Sequence, residues 1–417
     1  LVLPLAPFQF QGPVLQVGDG KPYHRIEQAV SDAIDGSTIN VFSASSGYSK
    51  TALSLSKRII IRAVGKICLD GAGFDYSGMG SIPRAILQVQ PGGSGSIIEG
   101  FEIRGARNKT FNGAGVRISG ANDVTVRGCD IHGNDMGIMS DGQLGTNLEA
   151  RNQRIVQCEI HENGTDRDPG YNHNLYVGGK SVWIDQSSIW GALTGHNLKS
   201  RAHFTLVTNS VLYGGSNRQI DCVDSVFTAA ANSNLVVFNC ILAMDGNSTG
   251  NGNMIHFGAE SGKRKGEAYL LQSTFYTEFL PPILQLDCPQ VTARIDNSII
   301  IDPDPMHPTL IGVTQSAKVP QNLGLGNWIS EGYLLANSAI SPRGFVFSRA
   351  HPANRTIPSM NSSGFALSPP APSPTLCSYR DGEGTEQRTK PVDWKVGADP
   401  GLFKKLSRVF EKRGEQG

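Results

Sequence analysis

Apolar residues in this chain recur in short alternating runs and not in long helical stripes. One class of run reads Val116-Arg117-Ile118, Ile138-Met139-Ser140, Leu175-Tyr176-Val177, Leu198-Lys199-Ser200, Ile220-Asp221-Cys222 and Ile255-His256-Phe257. A second reads VTVRGCDIH (124–132), IVQCEIH (155–161), VWIDQSSIW (182–190), FTLVTNSVLY (204–213), LVVFNCILA (235–243), AYLLQSTFY (268–276) and TARIDNSII (292–300). A period of two marks strands with one buried face. Between Leu175, Leu198 and Ile220 the first class returns after 23 and then 22 residues, and insertions at 141–153, 162–172, 223–233 and 245–253 lengthen the period elsewhere. A unit of that size cannot bury its own apolar side. Stacking the units can, which gives a solenoid of short parallel strands. Two-residue hairpin signals of the Asn-Gly type, which a sandwich or propeller needs, are few.

Residues 14–36 (VLQVGDGKPYHRIEQAVSDAIDG) predict a strand, a turn and a helix of about three turns. Its apolar face is Ile26, Ala29, Val30, Ala33 and Ile34, and Gly36 stops it. Strands are expected at 38–42, 52–55, 58–63, 66–69 and 309–313. In the second class of run one position reads Cys129, Cys158, Ser187, Asn209, Asn239, Ser273 and Asn297. Small and amide side chains there suit an inward turn that bonds the backbone of neighbouring coils. After Asp302 the pattern weakens. Residues 367–375 (LSPPAPSPT) read as a linker. Residues 401–412 read as a short amphipathic helix with a solvated basic face of Lys404, Lys405, Arg408 and Lys412, and Tyr379, Arg380 and Trp394 are candidates to cover a solenoid edge. The resulting division is an N-terminal arm or signal remnant at 1–13, the solenoid at 14–345, and a linker and tail at 346–417.

The repeat, together with the opening GDGKPYHRIEQAVSDAIDGSTINVFSASSGY (18–48), resembles the parallel β-helix proteins of the pectate lyase-like superfamily. The resemblance covers residues 14–345. It implies an all-β fold, a right-handed parallel β-helix with an N-terminal helical cap. That superfamily holds lyases, hydrolases, epimerases, esterases and binding proteins, so activity must be argued from the site.

Composition narrows the partners. Lys and Arg number 37 against 36 Asp and Glu, so no global field steers a nucleic acid or a membrane surface. No apolar run reaches the ~20 residues that span a bilayer. Seven cysteines, an odd number without a CxxC pair, argue against a zinc site or a disulfide framework and read as small buried residues. No HExxH, P-loop or GxSxG motif occurs.

The period of two locates the candidate site. With Ile138, Leu175, Leu198, Ile220 and Ile255 inward, Met139, Tyr176, Lys199, Asp221 and His256 point out, about 4.8 Å apart from coil to coil. Two residues on, the same face carries Asp141, Gly178, Arg201, Val223 and Gly258. One residue before the inward position stand Gly137, Asn174, Asn197, Gln219 and Met254. Asn174, Tyr176, Lys199, Arg201, Gln219, Asp221 and His256 should therefore share one outer face, with His173 and His196 beside it. Between Asn172 and Gln219 the cations are Lys180, Lys199, Arg201 and Arg218, and the acid is Asp185. Such a face suits a polymer bearing carboxylates or sulfates. The plainer reading is a polar ladder on a solvated sheet, where pairs such as Lys199–Asp221 are common.

For a uronic-acid polymer, β-elimination needs a cation to neutralise the carboxylate, a base for the adjacent C–H, and an acid or water for the leaving oxygen. Arg201 fits the carboxylate clamp. Lys199 is a candidate base, opposed by Asp221 beside it; His173 or His196 as base with Lys199 as neutraliser is the alternative. Tyr176 is a candidate acid. Asn174, Arg218, Gln219, Asp221 and His256 are candidate substrate contacts. Hydrolysis wants facing carboxylates, and the face offers Asp221 with Asp141 coils away. A uronate C5-epimerase needs nearly the lyase's groups, and a non-catalytic glycan-binding or adhesive protein needs the same face without turnover. No cofactor is required. The loop HENGTDRDPGYNH (161–173) holds Glu162, Asp166 and Asp168, hard ligands suited to Ca²⁺ but without EF-hand spacing. The expectation is a secreted or periplasmic, monomeric polysaccharide lyase acting on an acidic polysaccharide or oligosaccharide.

Overall fold

Each short apolar run becomes a strand whose neighbours lie one coil before and one coil after it in parallel register, and the chain folds as a right-handed parallel β-helix. The computed structural model describes residues 9–76, 83–166, 171–244, 246, 248–258, 260, 263–278, 281–302, 309–314, 316–320, 323–330, 345–348 (backbone), 376–389, 398–399, 401–402 and 405. Two compact units make it up.

The first unit comprises Val2–Ser187 with Gly191–Gly195. One of its sheets stacks Leu53–Leu55, Ala85–Val89, Ala114–Ser119, Met136–Asp141 and Leu175–Val177. Leu53, Leu87, Val116, Ile138 and Leu175 form one aligned column, every member buried. A second column runs through Leu15, Ile39, Ile61, Ile98, Val126, Ile155 and Ile184. A third, shorter column joins Ile103, Ile131 and Ile160; these columns form the core, and their burial is the main driving force for stacking. The N-terminal helix is shorter than its sequence pattern suggests. It covers Ile26–Asp32, and Ala33 turns to extended backbone after donating to the Ala29 carbonyl, which leaves Ile34 exposed while Ile26, Ala29 and Ala33 are buried. The strands expected at 58–63 and 66–69 are one bulged strand, Ile60–Asp70.

The second unit comprises Ser188–Trp190 with His196–Gly417. Leu198, Ile220, Ile255, Leu284 and Ile311 align in one column. Val207, Val237, Leu270 and Ile295 align in another, and Ile189, Leu212, Leu242, Phe275, Ile300 and Ile329 in a third. The tail folds back on this unit. Ser378–Arg380 and Glu386–Arg388 form an antiparallel hairpin, Tyr379 is buried with its ring 6.3 Å from Tyr269, and Asn234 donates to the Arg380 carbonyl at 2.8 Å. Ala398 and Leu402 close an apolar cluster around Trp190, Tyr213, Tyr276 and Trp328. Trp394, the 367–375 linker and all but three residues (401, 402 and 405) of the 401–412 helix lie outside the described residues.

The second class of run is not one strand but two, broken at a corner. The corner residues Gln157, Gln186, Asn209, Asn239, Gln272 and Asn297 all have φ between 48° and 56°. The residue after each corner points in. The inward set is therefore Cys129, Cys158 and Ser187 in the first unit and Ser210, Cys240, Ser273 and Ser298 in the second, and the sequence reading slipped by one at Asn209, Asn239 and Asn297. In the second unit the Cys240 N–H donates to Ser273 Oγ (3.1 Å), the Ser273 N–H to Ser298 Oγ (3.2 Å) and the Ser298 N–H to Asn327 Oδ1 (2.9 Å). These hydroxyls close corner hydrogen bonds that water cannot reach.

Amides form a second internal ladder. In the first unit Asn134 Nδ2 donates to Asn163 Oδ1 (3.0 Å), and Asn163 Nδ2 to Asn174 Oδ1 (2.9 Å) and to the Ile131 and His161 carbonyls. All three asparagines are fully buried. Asn163→Ala should cost about 2–3 kcal/mol, because it strands buried acceptors; a urea midpoint unchanged from wild type would contradict this role. None of the seven cysteines forms a disulfide; six are buried, and Cys68 is half-buried with its thiol pushed up to about 11, by burial first and then by Glu102. Ellman's reagent at neutral pH should read no more than one thiol per native chain and all seven in denaturant; several fast-reacting native thiols would refute this packing.

Candidate functional site

The outward neighbours of the Leu198 column are Lys199, Asp221, His256 and Gln285, held opposite one another by strand register. Asp221 is the centre. Its Oδ1 accepts from His256 Nδ1 at 2.7 Å and Arg218 Nη1 at 3.1 Å; its Oδ2 faces His196 Nε2 at 3.1 Å and Lys199 Nζ at 3.4 Å. Asp221 is 2% exposed, so this carboxylate is a buried charge satisfied on both oxygens. His256 continues the chain from Nε2 to Asp287 Oδ2 at 2.8 Å. Gly258 makes room for that contact, since a β-carbon there would stand 2.1 Å from Asp287 Oδ1.

The solvent edge of the network belongs to Lys199, Arg201 and Glu260. Glu260 Oε1 lies 2.9 Å from Lys199 Nζ and its Oε2 lies 2.5 Å from Arg201 Nη2. Buried Asp224 holds the Glu260 main chain, accepting its N–H at 2.8 Å, and lends its own carbonyl to Arg201 Nη1 at 2.8 Å. Behind them Arg264 is fully buried, donates to the Val223 carbonyl (2.7 Å) and Ser233 Oγ (3.0 Å), and lies over the Phe257 ring. Arg264 thereby pins the 223–233 excursion, which begins next to the site.

Burial and partners set the charges. Burial pushes Asp221 up, but hydrogen bonds from His196 and His256 overcome it and hold Asp221 well below the usual carboxylate range. Burial alone would lower His256; hydrogen bonds to Asp221 and Asp287 outweigh it and raise the imidazole above its ordinary value. For His196 burial wins over the Asp221 contact, and the ring is held below its ordinary value. These directions favour the protonated form of His256, which lies between two carboxylates, and the neutral form of His196, with its Nε2 facing Asp221.

Of the residues expected at the site, Lys199, Arg201, His196, Arg218, Asp221 and His256 are joined in this network. Gln219 is not. It is fully buried, accepting from Asn197 Nδ2 at 2.6 Å and donating to the Gly214 carbonyl, because it belongs to the turn before the strand, where alternation fails. Asn174 in the first unit is likewise a ladder rung and not an outward group. His173 and Tyr176 also belong to the first unit. His173 is buried, with its N–H toward Met136 Sδ and its ring edge-on to Tyr176 at 5.5 Å, and Tyr176 packs half-buried on the cluster of Ala85, Ala114 and Met136. Asp141 is paired with Arg117 at 3.4 Å. In the loop read for Ca²⁺, Glu162 is taken by His161 Nδ1 at 2.9 Å, Asp168 lies outside the described residues, and no group of three potential ligands converges among the described residues.

Sequence reasoning missed Asp287, Glu260, Asp224 and Arg264. Asp287 was findable: extending the outward column by one coil, from Gly258 to the Leu284–Leu286 strand, reaches it. Glu260 and Arg264 follow a strand in an irregular stretch that carries no period.

No protein-family model matches the chain, and no curated protein sequence matches it. Among solved structures the chain is similar to pectate lyase Pel9A, with a TM-score of 0.44 and 13% identity over 92% of this chain and 88% of that one. It is also similar to the tailspike protein gp49 from Pseudomonas phage LKA1 (TM-score 0.35, 11% identity, 81% of this chain and 51% of that one). A PL6 family alginate lyase, AlyGC, gives a TM-score of 0.29 and 12% identity over 93% of this chain and 56% of that one.

Proposed function

We propose that the second unit binds a carboxylate-bearing glycan at Lys199 and Arg201 and cleaves it by β-elimination. The observation that carries this reading is that Lys199 and Arg201 jointly grip one carboxylate at the solvent edge, while the charges behind them are already matched. Arg201 clamps the uronate carboxylate, which acidifies the neighbouring C5–H. Lys199, two residues away on the same face, takes that proton as the neutral amine. The C5–H pair becomes the C4=C5 double bond, the C4–O bond breaks, and water protonates the leaving oxygen.

Asp221 weighs against Lys199 as a base, but less than its position in the sequence suggests. It is shared by four donors, and Lys199 is the most distant at 3.4 Å. His196 serves as a neutral donor that orients Asp221. Hydrolysis is disfavoured because Asp221, held far below the usual range, cannot keep the proton that a general acid must give at neutral pH.

The deciding experiment incubates the protein with pectate, alginate and glycosaminoglycans and follows ultraviolet absorbance of the unsaturated product. Inverted C5 configuration without that absorbance would mean an epimerase. Saccharide binding with no product from any polyanion, unchanged by Lys199→Ala, would mean a binding protein.

A further inference from the structure

The grip on Glu260 has a consequence for what the site selects. We propose that the Glu260 carboxylate occupies the place of the ligand's own carboxylate, so that an acidic glycan binds by exchanging one carboxylate for another. This deepens the acidic-glycan reading above and rests on it for the identity of the incoming anion. Each Glu260 oxygen has its own cation, Lys199 for Oε1 and Arg201 for Oε2, as a bidentate ligand would. Glu260 is also the carboxylate able to leave. Its side chain is 49% exposed, against 2% for Asp221 and 12% for Asp287. Asp221 is fixed by four donors and Asp287 by His256. The Glu260 main chain stays on Asp224, so rotation about the side-chain bonds suffices to free the cations. Partial burial raises Glu260, but Arg201 and Lys199 outweigh it and hold the group below its ordinary range, which keeps it an anion throughout the neutral range.

An internal competitor discriminates by ligand length. A single uronate gains no more from the two cations than Glu260 already does. A polymer engages further coils at the same time and can draw on those contacts to displace it. Glu260 is therefore a specificity-determining residue that disfavours monomers and small anions.

The test uses the full chain with Glu260→Gln and Glu260→Ala, titrated calorimetrically with inorganic sulfate, with a monouronate and with a saturated tetrauronate. Sulfate and monouronate affinities should rise by roughly fivefold, the scale of two partly exposed ion pairs removed. The preference for tetramer over monomer should shrink. The gain should vanish when Arg201→Gln is added. Affinities unchanged in both variants, or a gain that survives Arg201→Gln, would overturn the proposal. Tighter sulfate binding with no uronate bound by any variant would uphold the internal anion and remove the acidic-glycan reading. Wild-type turnover of a uronate polymer with small-anion affinity unaltered by the variants would do the reverse.

Discussion

Lys199→Met is expected to lower the rate of unsaturated-product formation by about 10³-fold, the scale of a lost positioned base, with the fold retained. The argument is geometric. Lys199 is the amine at the solvent edge of the network, two residues from the Arg201 clamp on the same strand face. Its removal leaves Glu260 with Arg201, and Asp221 with His196, Arg218 and His256, so no buried charge is stranded. The stability change should therefore stay within about 1 kcal/mol. Initial rates and near-ultraviolet circular dichroism on the same preparation separate the two effects. A variant that keeps its rate within a few-fold of wild type would remove Lys199 from the chemistry.

Asp221→Asn should have the largest effect on stability, about 3–5 kcal/mol, because it removes the one carboxylate that compensates several buried donors. The amide keeps the shape and brings no negative charge, which isolates the electrostatic part of the loss. The pH dependence gives an independent check. Asp221 has a folded value well below 3.8, so its contribution is complete above about pH 4 and lost as pH falls through the folded value. His256 is raised above 6.5, so its contribution is complete below pH 6.5 and lost as pH rises through its folded value. His196 is lowered below 6.5; the unfolded chain takes up its proton first, so stability falls as pH drops from about 6.5 toward the folded value. His196 thus lowers stability below pH 6.5 and His256 above it, and the limb below about pH 4 belongs to Asp221. Denaturant titrations across pH should show that limb in wild type and a flatter one in Asp221→Asn. Equal acid limbs would mean that Asp221 is not the group carrying the charge.

The inward columns were legible because alternation is a local property. Leu175, Leu198, Ile220 and Ile255 each announce their face through their own neighbours. The corners were less so. Gln157, Gln186 and Gln272 adopt left-handed backbone without being turn-forming residues, so each pair of strands reads as one continuous run; where the corner is Asn209, Asn239 or Asn297, the amide resembles the small polar inward residue that follows it, and the register slips by one there. Asn174 and Gln219 failed for a related reason. They stand in turns where the period of two has not yet begun, and the coil satisfies their amides internally.

The chain's own pattern thus determined the parallel solenoid and the column that places Lys199, Asp221 and His256 side by side, because a repeated period carries register from coil to coil without knowledge of the loops. Tertiary structure decided which charges meet. Glu260, Asp224, Arg218 and Arg264 reach the site from turns and excursions of no fixed period; burial holds both imidazoles down, and the two carboxylates that flank His256 raise it while the single Asp221 contact does not rescue His196. Pairing and burial depend on where distant segments pack, and no local spacing encodes that.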